Sequence, residues 1–257
     1  DYGDSPLFSA LLNSSGADIV KYLIEHGATA DTNTLSLASG HGSEEIVKYL
    51  LGKGIQVNPP SQEEPIPLVE AASNGHLPIV DLLLAHGADI NAASWDGETA
   101  LYAAADEGYD EVIARLLDKG AEINLALDTN QLFYQFSSDT VSMSFDDSKL
   151  TPLMKAALDS NIGTIKLLVG RGADEALKSH HTMTAFHYAS LAFDEESASA
   201  LEQLLPNAAT SLNTPATGFT ITAKYGEGPE IHVADPCPIH FAVLSDEPNL
   251  AKVSLLL

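Results

Sequence analysis

The chain has 257 residues, 45% of them hydrophobic, and a single cysteine, Cys237; it is not wholly disordered and can form neither an intrachain disulfide nor a thiolate metal cluster. Its 12 basic residues stand against 36 acidic ones, and a net charge of −24 argues against nucleic acid and anionic membrane surfaces and favours a monomer and basic partners. No apolar run approaches the roughly 18 residues that span a bilayer.

An apolar anchor recurs along the chain, as the third residue of a Thr-Pro-Leu-like phrase, at Leu7, Leu35, Leu68, Leu101, Leu153, Phe186 and Ile239. The spacings are 28, 33, 33, 52, 33 and 53, a period of 33 with two insertions of 19 and 20. A second marker, Gly-Ala or a variant, falls at Gly27-Ala28, Gly54-Ile55, Gly87-Ala88, Gly120-Ala121 and Gly172-Ala173, with the same period and the same site for the first insertion.

In chain order, the first repeat, about 1–32, opens on Ser5-Pro6-Leu7. The second, 33–61, reads Asn33-Thr34-Leu35 without the Thr-Pro phrase, follows a hairpin about five residues short, and carries Ile46, Val47, Leu50 and Leu51. The third, 62–94, has Ile66 in the capping slot, then Ala71-Ala72 and the stripe Ile79, Val80, Leu83, Leu84. The fourth, 95–145, holds Thr99-Ala100-Leu101, Ala103-Ala104-Ala105, the stripe Val112, Ile113, Leu116, Leu117, and the first insertion within Leu125–Ser148. The fifth, 146–179, opens on Thr151-Pro152-Leu153 with Ala156-Ala157. The sixth, 180–234, opens on Thr184-Ala185-Phe186, has Asn207 where glycine is expected, and ends in the second insertion, about Asn213–Pro236. The seventh, 235–257, has Cys237 in the capping slot and stops on Leu255-Leu256-Leu257, which reads, with the opening on Asp1, as a piece cut from a longer chain.

Each repeat has one grammar. Ser or Thr caps a helix start and proline fits the next position, where its missing N–H is not needed. Small residues let helices approach closely. An i, i+1, i+4, i+5 stripe buries one face of a second helix, and glycine takes the left-handed conformation that ends it. The insertions predict extended β-hairpins, with Leu132–Phe136 against Val141–Phe145 and Phe219–Ala223 against Glu230–Val233 around Gly226-Glu227-Gly228-Pro229.

The run from Ile66-Pro67-Leu68 through Ala71-Ala72, Ile79-Val80 and Leu83-Leu84 to Gly87-Ala88-Asp89-Ile90-Asn91-Ala92 resembles the ankyrin repeat, and the likeness covers nearly the whole chain in about seven copies, the last truncated. The resemblance implies an all-α repeat solenoid, elongated and curved, with partners taken at the hairpin tips and concave face. It places Trp95, Asp96 and Glu98 at a tip, and Gly40-His41, Ser73-Asn74, Asp106-Glu107 and Leu158-Asp159 at the variable concave positions. It also implies structural roles for His26, His76, His86, His187 and His240, and for Tyr102, which stands in a His position.

Trp95 reads either as a partner anchor or as packing against the base of the first insertion. Asp96, Glu98, Asp106 and Glu107 form either an acidic patch for a Lys/Arg-rich segment or a solvated face. Phe133, Tyr134, Phe136 and Tyr225 belong to insertions that either widen the binding edge or pack down on the repeats. His41, His180, His181 and His232 lack ligand spacing, so no metal or cofactor is expected. No nucleophile elbow, phosphate loop or zinc-protease phrase occurs, and Cys237 lacks a base. Asn13-Ser14-Ser15 matches a glycosylation triplet without a secretory signal, and the cytosol or nucleus is the expected compartment.

The expected function is therefore a non-catalytic protein–protein interaction scaffold with an acidic concave face for a basic or mixed partner surface. The alternative is an arm of a larger enzyme, channel or toxin. A third reading makes Asn91 or Asn124, at the closing phrase, a hydroxylation substrate by resemblance to the family.

Overall fold

The computed structural model describes residues 6–12, 16–61, 63–95, 97–126, 132–137, 141–191, 197–204, 215–217, 220–224 and 230–238. The chain divides into two bodies, Asp1–Glu122 and Ile123–Leu257.

The first body is built from helix pairs: α1 (Pro6–Leu12) with α2 (Ala17–Glu25), α3 (Thr32–Gly40) with α4 (Glu44–Gly52), α5 (Pro67–Ser73) with α6 (Leu77–Ala85), and α7 (Ala100–Glu107) with α8 (Asp110–Asp118). The first helices α1, α3, α5 and α7 pack in one row and the second helices α2, α4, α6 and α8 in another, each against its chain neighbours. A pair of seven- to nine-residue helices is too short to stand alone in water, so stacking of the apolar stripes carries the stability.

The caps explain where the helices start. Thr99 Oγ1 accepts the Tyr102 N–H at 3.2 Å at the head of α7. The α3 helix, which lacks the Thr-Pro phrase, uses Asp31 instead: its carboxylate accepts Thr34 N–H at 2.9 Å, and Thr34 Oγ1 accepts Asp31 N–H at 3.2 Å, a closed capping box. At α5 no side chain caps the start; Pro67 stands in the first turn and Ile66 is buried. The second helices end on Gly27, Gly54, Gly87 and Gly120, all with positive φ, and the residue after each glycine donates back to the helix, as in Ala88 N–H to Leu83 O at 3.0 Å.

The anchor leucines Leu7, Leu35, Leu68 and Leu101 are buried, as are Ala38, Ala71, Ala72 and Ala103–105 between the rows. In α4 the whole stripe Ile46, Val47, Leu50 and Leu51 is buried, but in α6 and α8 it is narrower than the sequence pattern suggests. Ile79, Val80 and Leu83, and Val112, Ile113 and Leu116, are buried, whereas Leu84 and Leu117 are only half-buried.

The second body holds two more pairs, α9 (Pro152–Leu158) with α10 (Ile162–Gly170), and α11 (Ala185–Leu191) with α12 (Ser197–Leu204), stacked in the same two-row manner. Thr151 caps α9 by accepting Met154 N–H at 3.3 Å. The insertions form the hairpins β1 (Leu132–Ser137) with β2 (Val141–Asp147), and β3 (Thr220–Lys224) with β4 (Glu230–Ala234). The hairpins are joined: β2 pairs β3 antiparallel through Val141↔Ala223 and Ser142↔Thr222, giving one sheet of order β1-β2-β3-β4. The seventh repeat beyond Pro238, with His240 and the anchor Ile239, lies outside the described residues, as does Asn207 of the sixth repeat.

Candidate protein-interaction surface

The tip before α7 is a tight hairpin. Ala93 pairs with Thr99, Ser94 N–H donates to Glu98 O at 2.9 Å, Gly97 N–H donates to Ser94 O at 2.8 Å, and Ser94 Oγ donates to the same Glu98 carbonyl at 3.1 Å. These bonds fix the backbone on both sides of Trp95, whose side chain is 76% exposed, the most exposed large hydrophobic among the described residues. Glu98 is half-buried beside it, and Asp96 lies outside the described residues.

The other candidate positions sit at the C-terminal ends of successive first helices. His41 follows α3 and is exposed. Ser73 ends α5 and Asn74 caps it; Ser73 Oγ and Asn74 Nδ2 both donate to Glu70 O, at 3.1 and 2.9 Å, and so hold their side chains against the helix end. Asp106 and Glu107 end α7, the first half-buried and the second exposed. Adjacent ends come close: a Cβ on Gly40 would lie 3.3 Å from Glu70 Oε2 and 3.7 Å from Asn74 Nδ2, and His76 Nε2 donates to Gly40 O at 3.0 Å.

The cations separate the two rows. The helices α1, α3, α5 and α7 contain no Lys or Arg, but do contain Glu70, Asp106 and Glu107. The five cations of this body, Lys21, Lys48, Lys53, Arg115 and Lys119, all lie on the second helices or the residues just after them. Arg115 on α8 pairs with Asp81 on α6, and Lys21 on α2 with Glu45 on α4. Hydrogen bonding to those carboxylates raises both cations above their ordinary values. The acidic end of the first-helix row therefore carries no cation of its own.

In the second body Leu158 is half-buried and Asp159 pairs with Lys155 at 2.8 Å. Phe133, Tyr134 and Phe136 fall on β1, opposite Asp146, Phe145 and Met143 of β2. Their side chains, and all of Tyr225, lie outside the described residues.

The histidines divide by role. His76 bridges two repeats through Gly40 O, while His26 and His86 each donate to their own helix, to Tyr22 O and Leu82 O at 2.8 Å. His187 is fully buried, its Nδ1 accepting from Thr184 N–H at 3.2 Å and from Thr184 Oγ1 at 2.9 Å. His181 pairs with Thr217 in both directions, Thr217 N–H donating to His181 O at 2.8 Å and His181 Nδ1 donating to Thr217 O at 2.9 Å. Among the described residues no group of three or more His, Cys, Asp or Glu is placed to hold a metal ion, and no helix is long and apolar enough to cross a membrane.

A ladder of asparagines at the closing phrase was not anticipated from sequence. Asn58 Oδ1 accepts Asp89 N–H at 2.9 Å, Asn91 Oδ1 accepts Glu122 N–H at 3.0 Å, and Asn124 Oδ1 accepts Asp174 N–H at 2.9 Å. The carboxamides tie each loop to the next, and the recurrence of Asn at the repeat period was the signal for it.

The family model described as ankyrin repeats, three copies, matches residues 1–61 and 35–126. No curated protein matches the chain.

Proposed function

Since the chain belongs to the ankyrin-repeat family over residues 1–126, a fold that generally serves as a non-catalytic protein-interaction module, we propose that it is a scaffold that takes a protein partner with a basic or mixed surface. The partner surface runs from the Trp95 tip to the ends of the first helices at His41, Ser73, Asn74, Asp106 and Glu107. Asp96 and Glu98 neighbour Trp95 in the sequence of the tip, and Phe133, Tyr134, Phe136 and Tyr225 of the two insertions are separate candidate contacts.

The observation that carries this reading is the cation-free first-helix row beside a tryptophan exposed to 76% and held on a braced hairpin. A rigid aromatic anchor exposed beforehand adds little ordering cost on binding, and a single-sign field selects a cationic segment and speeds its encounter. The test is capture from the native lysate at low and moderate salt, with the identified partner then titrated against variants. Trp95→Ala and the pair Asp106→Asn with Glu107→Gln are each expected to weaken binding about 10-fold or more without changing the circular dichroism. Unchanged affinity in both would remove the surface from this position.

A further inference from the structure

We propose that the outer side of the first helix pair, centred on Ile19 and Tyr22, is a stacking face for one further helix pair of the same repeat type, joined in series ahead of α1. The observation is a break in an otherwise repeated burial pattern. Ile19, Ile46, Ile79 and Val112 occupy one register, spaced 27, 33 and 33 residues apart like the Gly-Ala marker. Ile46, Ile79 and Val112 are 4%, 2% and 1% exposed, whereas Ile19 is 56% exposed. Tyr22 is 59% exposed, where its equivalents Tyr49, Leu82 and Arg115 are half-buried. On the first helix Phe8 is half-buried, where Ser36, Val69 and Tyr102 are buried.

The neighbour explains the difference. The helices α4, α6 and α8 each have a preceding second helix packed against them, namely α2, α4 and α6. That neighbour covers the first apolar residue of the stripe, and among the described residues of this body α2 is the one second helix without such a neighbour. Of its inward residues Val20 is fully buried, whereas Leu23 is half-buried where its equivalents Leu50, Leu83 and Leu116 are fully buried. A pair that terminates a stack carries polar residues on its outer face, because solvent is its permanent neighbour. This pair instead carries isoleucine and tyrosine at interior register, so it has the composition of an internal repeat.

The occupant follows from continuity with the interface between α2 and α4: a helix pair seated on α2 at the same register meets Ile19 and Tyr22 as α2 meets Ile46 and Tyr49. A second copy of the chain is the poorer occupant, since each copy carries −24 and association brings like charges together. None of the face's residues belongs to the partner surface described above, so the two proposals stand or fall separately.

The test is a fusion of one consensus helix pair of this repeat type ahead of residue 1 of the full chain, compared with the unfused chain by thermal denaturation and hydrogen exchange. The fusion is expected to raise the melting temperature by about 5 °C or more. The α2 amides are expected to gain about 10-fold or more in protection. Ile19→Glu should cancel both gains in the fusion, and Ile19→Val should keep them. In the unfused chain Ile19→Glu should leave the melting temperature within about 1 °C, because an exposed surface substitution costs little. The proposal is overturned by no gain on fusion, by a gain that survives Ile19→Glu, or by destabilisation of the unfused chain by Ile19→Glu. An Ile19-dependent dimer of the unfused chain in sedimentation would assign the face to a second copy and equally overturn it.

Discussion

The turn between the two helices of a pair places one residue in the left-handed region. Gly42, Gly75 and Gly108 fill it with φ of 73°, 70° and 75°, and in the fifth repeat Ser160 fills it with φ of 54°. Ser160 is 2% exposed, and its hydroxyl has no hydrogen-bond partner among the described residues. A side chain in this conformation and a buried unpaired hydroxyl each cost about 1 kcal/mol or more. Ser160→Gly is therefore expected to stabilise the protein by about 1–2 kcal/mol after the added chain entropy of glycine, seen as a rise of a few degrees in melting temperature. Glycine at Gly75 answers a second demand, because a Cβ there would lie 2.7 Å from Cδ1 and Cε1 of Tyr109, the residue that opens the next second helix. His76 sits over Gly42 in the same manner, so in these two successive pairs an aromatic ring closes over a glycine of the pair before it. The Thr caps at Thr99 and Thr151 were legible in the sequence because cap chemistry is local. The Asp31 box was not, since the anchor there is preceded by Asn33-Thr34 and the capping carboxylate stands outside the phrase that marks the other repeats.

At the scale of the element, the second helix is what the stack depends on. Leu83 of α6 is fully buried between α4 and α8, and Leu83→Ala is expected to cost about 2–5 kcal/mol. Because repeat stability is shared between nearest neighbours, hydrogen exchange should accelerate in α4, α6 and α8 before it does in α2. The position of the stripe was readable from its spacing, but its width was not. Leu84 and Leu117 are half-buried whereas Leu51, at the same position of α4, is buried, and periodicity cannot report how far the edge of a stripe faces solvent. The hairpins were readable from β-branched and aromatic runs around turn residues. Their union was not, because the pairing of β2 with β3 is a contact between loops from different repeats and leaves no mark in either loop's own alternation. The candidate surface shows the same division: its residue types are plain in the sequence, but the separation of cations from the first-helix row emerges only when the helices are laid side by side.

For the whole molecule the dominant quantity is the net charge of −24. Self-repulsion of that size opposes compaction and is screened by salt. Raising ionic strength from about 0.02 to 0.5 M should raise the melting temperature while weakening the partner proposed here, and these opposite signs are measurable on one preparation by calorimetry and titration. A melting temperature that falls with salt would mean that the ion pairs between second helices outweigh the repulsion. The sheet has a different consequence. Its central pairing, Val141↔Ala223 and Ser142↔Thr222, clasps the chain into a loop that encloses α9, α10, α11 and α12. Tension applied at points outside that loop is borne first by the backbone bonds between two strands, and the four enclosed helices are shielded until the clasp opens. The second body thus has a mechanical fuse that an uninterrupted repeat array lacks.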